Sequence, residues 1–186
     1  MKEIFKGESI RLSAADHVEL GKAYSKWNAD SELTRLMDSR ASRMSSSKAI
    51  ATNLEKELEE ASALQHFFTI RALQDDRLLG DIGLHVINNW SSRDAFMGLG
   101  IGHREDWGKG YGTDAIRVML RFAFTEINLR RVTLTVFEYN PRAIRSYKKA
   151  GFCHEGRYRG ALLRDGKRWD VLFMGILRED WMKLYQ

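Results

Sequence analysis

Residues 107–116 read WGKGYGTDAI and place Gly108, Gly110 and Gly112 within five positions, just before an amphipathic run. From 111 to 128 the apolar residues Ile116, Met119, Leu120, Ala123, Phe124 and Ile127 recur at three- and four-residue spacing, the pattern of a helix with one buried face. A glycine-rich loop that opens a helix is either a plain turn or an anion site. Without Cβ atoms, several backbone N–H groups can converge, and the helix N-terminus adds partial positive charge. The spacing excludes a Walker loop, since no Gly-Lys-Ser/Thr follows. The third glycine also comes one residue too early for the dinucleotide fingerprint.

Upstream, residues 94–102 (DAFMGLGIG) read as a strand. Strand side chains alternate between faces, so Gly98, Gly100 and Gly102 share one face and Met97, Leu99 and Ile101 the other. Glycine weakens a strand, so three on one face need a reason. The choices are close packing or a bulge, or a groove where an extended ligand lies against bare backbone. The direct run into a second glycine cluster favours the groove.

Further out, residues 9–13 read as a strand, 16–27 as a helix capped by Asp16, and 48–61 as a helix capped from Ser45–Ser47. Glu55, Glu57, Glu59 and Glu60 on that helix read as a solvated face. Residues 66–73 and 78–87 read as two strands joined by the turn QDDR, a hairpin, and NNWSSR is a loop. Downstream, RVTLTVFE (131–138) is a buried strand. Asn140-Pro141 starts a helix, with Asn as cap and Pro at the first helical position, and Gly151 ends it. A last hairpin flanks RDGK. The order β-α-α-β-β-β-α-β-α-β-β predicts an α/β fold, a mixed central sheet flanked by helices, in a single domain spanning 1–186.

Composition narrows the function. The one cysteine, Cys153, excludes an internal disulfide and fits a reducing, cytoplasmic setting. No signal peptide is expected from MKEIFKGESIRL, and the apolar run 171–177 is too short to span a bilayer. A net charge of +5 favours anionic ligands, yet the basic residues are dispersed, which disfavours nucleic acid as a partner. No metal site is expected.

Three segments together resemble the GNAT superfamily of N-acetyltransferases: GIGHREDWGKGYGTDAIRVMLRFAF, RVTLTVFEYNPRAIRSYKKAGF and EGRYRGALLRDGKRWDVLFMGIL. Within it they look like the branch holding ribosomal-protein N-terminal acetyltransferases and spermidine N-acetyltransferase, which WNADSELTRLMD also resembles. The resemblance covers essentially the whole chain. It implies acetyl-CoA as co-substrate, with the pantetheine arm along Gly100, Ile101 and Gly102. The pyrophosphate would rest on backbone N–H groups from Trp107 through Gly108, Lys109, Gly110, Tyr111 and Gly112 to Thr113. Asn140 would contact the pantetheine and Tyr147 would stand near the sulfur. Two positions depart from the family: Trp107 replaces the Gln or Arg that commonly opens the loop, and Phe96 stands where many relatives carry a glutamate base.

Acetyl transfer needs a neutral amine, donors for the oxyanion and a proton or hydrogen bond for the leaving thiolate. Tyr147 is the expected acid. Glu105 is the expected base, with His103, Asp106, His85 and Asp81 as alternatives, or water. The acceptor is an amine: a protein N-terminus, a polyamine or another small amine. Asp30, Glu32 and Asp38 could greet a cation there, or be ordinary solvated residues. A homodimer is a further expectation. The rival reading is a non-catalytic coenzyme-A sensor, which Phe96 supports and Tyr147 opposes.

Overall fold

Seven strands form one sheet in the order β1-β2-β3-β4-β5-β7-β6. The structure, a computed structural model, describes residues 3–60, 63–87 and 93–185. Strand β1 (Ile10–Ser13) pairs antiparallel with β2 (Gln65–Ala72), β2 with β3 (Leu78–Val86), and β3 with β4 (Asp94–Ile101). Strand β5 (Arg131–Phe137) is parallel to β4, and the hairpin of β6 (Cys153–Arg164) and β7 (Lys167–Leu177) closes the other edge, with β7 beside β5. Asp165 and Gly166 turn that hairpin, both at positive φ (53° and 72°), as a two-residue turn matched to strand twist requires.

Helix α1 (His17–Trp27) begins where Asp16 accepts the Glu19 N–H at 2.7 Å. Helix α2 (Ser31–Met37) is capped by Asp30 in the same way, and α3 (Ser47–Glu59) by Ser46. Gly21 lets α1 and α3 approach, since a Cβ there would fall 2.7 Å from Ser47 O and 2.8 Å from the Ala51 methyl. On the opposite face lie α4 (Tyr111–Arg121), α5 (Pro141–Lys149) and α6 (Arg178–Tyr185). The main core fills the space between these helices and the sheet, built on Ile82, Leu84, Ala95, Ile116, Met119, Phe124 and Leu134, all buried.

Three differences from the sequence reading stand out. The helix expected over 111–128 becomes a wider π turn at Phe122–Glu126, where Ile127 N–H bonds back to Phe122 O. Helix α2 is an element of its own, too short for a periodic signal. Helix α6 follows β7 without any breaker residue, so no boundary marks it. Most of the loop NNWSSR, residues 88–92, lies outside the described residues.

Candidate functional site

Among the described residues the sheet has one parallel pair, and it is split there. Strands β4 and β5 are in register only at Asp94–Arg131, Ala95–Val132 and Phe96–Thr133. Beyond that, β4 stays with β3 as far as Ile101 and β5 stays with β7 as far as Phe137, so the two part and leave a gap. The Gly102 N–H donates to Leu79 O, on the β3 side. Alternation along the antiparallel pair then turns the peptide groups of Gly98 and Gly100 toward β3, and those of Met97, Leu99 and Ile101 into the gap. One of these acceptors is used: the Trp107 indole Nε1–H donates to Ile101 O at 2.7 Å. The gap opens into a cleft of about 500 Å³ bounded by β4, β5, the glycine loop, α5 and α2.

The loop glycines do two different jobs. Gly108 (φ 78°) and Gly110 (φ 93°) hold left-handed backbone with open space where a Cβ would stand. Gly110 is the N-cap of α4, and the Asp114 N–H returns to its carbonyl at 3.0 Å. Gly112 is ordinary helix, with Leu99, Ile101 and Ser146 at van der Waals distance from a Cβ. The loop is pinned at both ends. Asp106, its side chain fully buried, takes a bidentate pair from Arg77 at 2.6 and 2.7 Å, and the guanidinium holds its carboxyl below the usual range. Lys109 turns to the same carboxylate at 3.7 Å and does not line the cleft. Arg142 of α5 stacks 3.8 Å above the Trp107 ring.

Asp114, which the sequence reading passed over, anchors α4 to the start of the chain. Its carboxylate accepts the N–H groups of Glu8, Ser9 and Ile10 and the Ser9 hydroxyl.

Helix α5 brings two expected residues to the cleft. Asn140 caps it, Oδ1 accepting the Ala143 N–H at 3.1 Å, so the side-chain amide is the part left to face the cleft. Tyr147 is buried at 7% exposure and lines the cleft, and its hydroxyl has no hydrogen-bond partner among the described residues. Burial pushes its phenol up to about 12.

The other face of β4 corrects the expectation of three bare glycines. Only Gly98 meets open space. Met37 of α2 lies over Gly100, and the Trp27 ring fills the place of a Gly102 Cβ, within 2.0 Å. Close packing therefore accounts for Gly102, which stands apart from the cleft. Glu105 sits exposed on a 3-10 turn at Arg104–Asp106 and is not brought to the cleft; His103 and His85 are exposed as well. Asp106 is committed to Arg77. Asp81 is half-buried on β3 opposite Gly100. Phe96 is 40% exposed on the same face.

The acids expected to greet a cation are engaged. Asp30 and Glu32 both pair with Arg104, and Asp38 pairs with Arg40. The wall they stand on is held from the far edge of the sheet. Arg164 at the end of β6 donates through Nη1 to Arg35 O and to the Tyr139 hydroxyl, and through Nη2 to Asp38 O (3.1 Å) and Arg40 O (3.3 Å). It thus satisfies carbonyls at the C-terminal end of α2 that have no partner within the helix.

Among the described residues no group of three or more His, Cys, Asp or Glu could hold a metal, and no helix is long and apolar enough to cross a membrane.

Comparison with known proteins adds relatives. A family profile described as an acetyltransferase (GNAT) domain matches residues 10–153. The chain is 32% identical over 129 residues to a probable N-acetyltransferase, YjcK, of Bacillus subtilis, covering 69% of this chain and 70% of that one. It is 32% identical over 109 residues to a putative ribosomal N-acetyltransferase, YdaF, of the same organism, covering 59% and 58%. Among solved structures it superimposes on spermidine N-acetyltransferase from Vibrio cholerae, in complex with CoA and spermine, with a TM-score of 0.78, at 23% identity, over 93% of this chain and 98% of that one.

Proposed function

The chain belongs to the acetyltransferase (GNAT) family and is an acyltransferase; from that premise we propose that it moves the acetyl group of acetyl-CoA to a primary amine by direct attack within a single domain. The observation that carries this reading is the gap between β4 and β5, lined by strand backbone that the two strands do not pair across it and by a tyrosine hydroxyl without a hydrogen-bond partner among the described residues.

The co-substrate fits that gap. The pantetheine arm is strand-like and its amides pair with the free groups of Met97 and Leu99 and the Ile101 N–H. Gly100 serves by being small rather than by hydrogen bonding, since its peptide groups turn to β3. Asn140 adds its amide. The pyrophosphate takes the N–H groups at Gly108, Gly110, Tyr111, Gly112 and Thr113, where the α4 dipole favours an anion. Arg142, Arg145 and Lys149 supply positive charge along the same wall.

The amine, once neutral, forms a bond to the thioester carbon. The oxyanion meets β4 backbone donors, the C–S bond breaks, and the pair leaves on sulfur. With a phenol near 12, full proton transfer to a thiolate whose acid has a pKa of about 8.5 is uphill. Tyr147 therefore acts as a hydrogen-bond donor to the developing thiolate, and the proton that finally neutralises sulfur comes from the nitrogen.

Engagement of Asp30, Glu32 and Asp38 by arginines favours a singly charged acceptor, such as the α-amine of a peptide, over a polyamine. The test is release of free thiol from acetyl-CoA in the presence of peptides with free N-termini and, separately, of spermidine. Turnover with peptides and little with spermidine is expected. Binding of acetyl-CoA with no turnover on any amine would favour the non-catalytic sensor instead.

A further inference from the structure

Resting on the transferase reading above, we propose that Asp81 takes the proton from the incoming amine, acting from the α1–α2 face of the sheet across Gly100 and Gly98.

The placement comes first. Asp81 faces Gly100 across the β3–β4 pair. Its Oδ2 lies 3.8 Å from the point where a Gly100 Cβ would stand, and the Met37 sulfur lies 3.5 Å from the same point. The missing side chain at Gly100 is what leaves room for both. Gly98, the next residue on that face, meets open space. It is about 7 Å along the strand from Gly100, a span that two bridging waters cover at about 2.8 Å per hydrogen bond, so an amine entering the gap over Gly98 reaches the carboxylate through water.

The charge environment comes second. Other carboxylates around the cleft are neutralised: Asp106 by Arg77, Asp30 and Glu32 by Arg104, Asp38 by Arg40. Among the described residues Asp81 has no ion-pair partner. The groups facing it are the Tyr24 hydroxyl from α1, with Glu57 of α3 behind it, Thr69 from β2, which bonds to Ser13, and Met37 from α2. Arg71, two residues from Thr69 on β2 and on the same face, is held by Glu19 and Ser13. Burial without a counter-charge pushes the Asp81 carboxyl up to about 6, the Tyr24 hydroxyl partly offsetting it. Such a group is mostly ionised at neutral pH and more basic than an ordinary aspartate.

The step balances. An ammonium N–H bond breaks and the proton passes to the Asp81 carboxylate. The freed lone pair forms the N–C bond and the C–S pair leaves on sulfur beside Tyr147. The nitrogen's second proton neutralises the thiolate, and Asp81 returns its proton to solvent.

The test compares wild type with Asp81→Asn and Asp81→Glu, by thiol release from acetyl-CoA between pH 5.5 and 9.5. The amines are a hexapeptide with a free alanine N-terminus and spermidine. Asp81→Asn should lose roughly 10²–10⁴ in turnover at pH 7, with KM for acetyl-CoA changed only a few-fold. The wild-type acid limb near pH 6 should vanish in that variant, and its deficit should shrink toward pH 9.5 as the amine deprotonates unaided. Asp81→Glu should restore part of the rate. The folded-state pKa lies above the unfolded value, so above pH 6 the native state carries an unfavourable buried charge. Asp81→Asn should accordingly melt no lower than wild type at pH 8. Wild-type turnover in that variant at pH 7, or a loss equal at every pH and accompanied by a lower Tm, would overturn the assignment while leaving the transferase intact. Wild-type protein inert toward both amines would overturn the transferase reading, and the assignment with it.

Discussion

Gly98, Gly100 and Gly102, in β4 and at its end, and Gly108, Gly110 and Gly112 in the loop have the same every-other-residue spacing, and the fold uses them in opposite ways. In the strand the period of two puts all three on one face, where their value is the volume they do not occupy: Trp27 fills one vacancy, Met37 and Asp81 share the second, and the third is open. In the loop no shared face exists. Gly108 and Gly110 are there for backbone angles closed to other residues, while their Cβ positions are empty space. Adding a methyl group is therefore a packing experiment in β4 and a conformational one in the loop.

The largest expected effect lies at Tyr147, whose chemistry belongs to neither triplet. Tyr147→Phe should cut turnover by roughly 10²–10³, the worth of one positioned donor to a developing charge, while leaving coenzyme binding and Tm nearly unchanged, because the hydroxyl has no hydrogen-bond partner to lose among the described residues. Burial holds the phenol near 12, so it stays protonated and the wild-type pH profile should show no limb from it between pH 6 and 10. Near-wild-type turnover in the Phe variant would reduce Tyr147 to packing.

Next comes Gly110→Val, a β-branched residue placed at φ 93° at the head of α4. Melting with and without coenzyme A separates the intrinsic strain from the ligand effect. At a hundredfold excess over Kd the wild type should gain about 2.7 kcal/mol, and the variant close to nothing. An undiminished gain would dissolve the distinction between the two triplets.

Gly102→Ala should follow, with a loss of about 1–3 kcal/mol from overpacking against Trp27 and a Tm lower by about 2–4 °C for each kcal/mol. Coenzyme binding should hold, as Gly102 is off the cleft. Smallest is Gly98→Ala, where the open site should keep stability within about 0.5 kcal/mol. A large loss there would mean that the glycine face is closed along its whole length.

What could be read in advance was what local pattern encodes. The strand, glycine loop and helix, the Asn140-Pro141 start and the inward Tyr147 each follow from spacing and cap chemistry within a few residues. What could not be read depends on partners brought together by the sheet. Trp27 meets Gly102 from a helix that leads into α2, Arg77 finds Asp106 across the hairpin, and Asp114 collects backbone donors from residues 8–10. Glu105 looked suitable because it follows the groove strand directly, yet the 3-10 turn carries it outward. Asp30, Glu32 and Asp38 looked like a cation site because the one arginine that neutralises two of them, Arg104, stands more than seventy residues away.

Helix α2 has seven residues, too few to hold a helical shape unaided, and its C-terminal carbonyls hang on Arg164. One support of this cleft wall is therefore the tip of the β6–β7 hairpin, reinforced by the Arg35–Asp165 pair at the turn itself. The other end of the helix is tied to the glycine loop, because Asp30 and Glu32 pair with Arg104 on the turn just before Trp107, and Leu33, Leu36 and Met37 line the cleft between the two supports. Helix α2 is in this way braced at both ends, its C-terminal carbonyls on a turn at the far edge of the sheet and its N-terminal acids on the turn that opens the glycine loop, so a change at either support is felt on the same cleft wall.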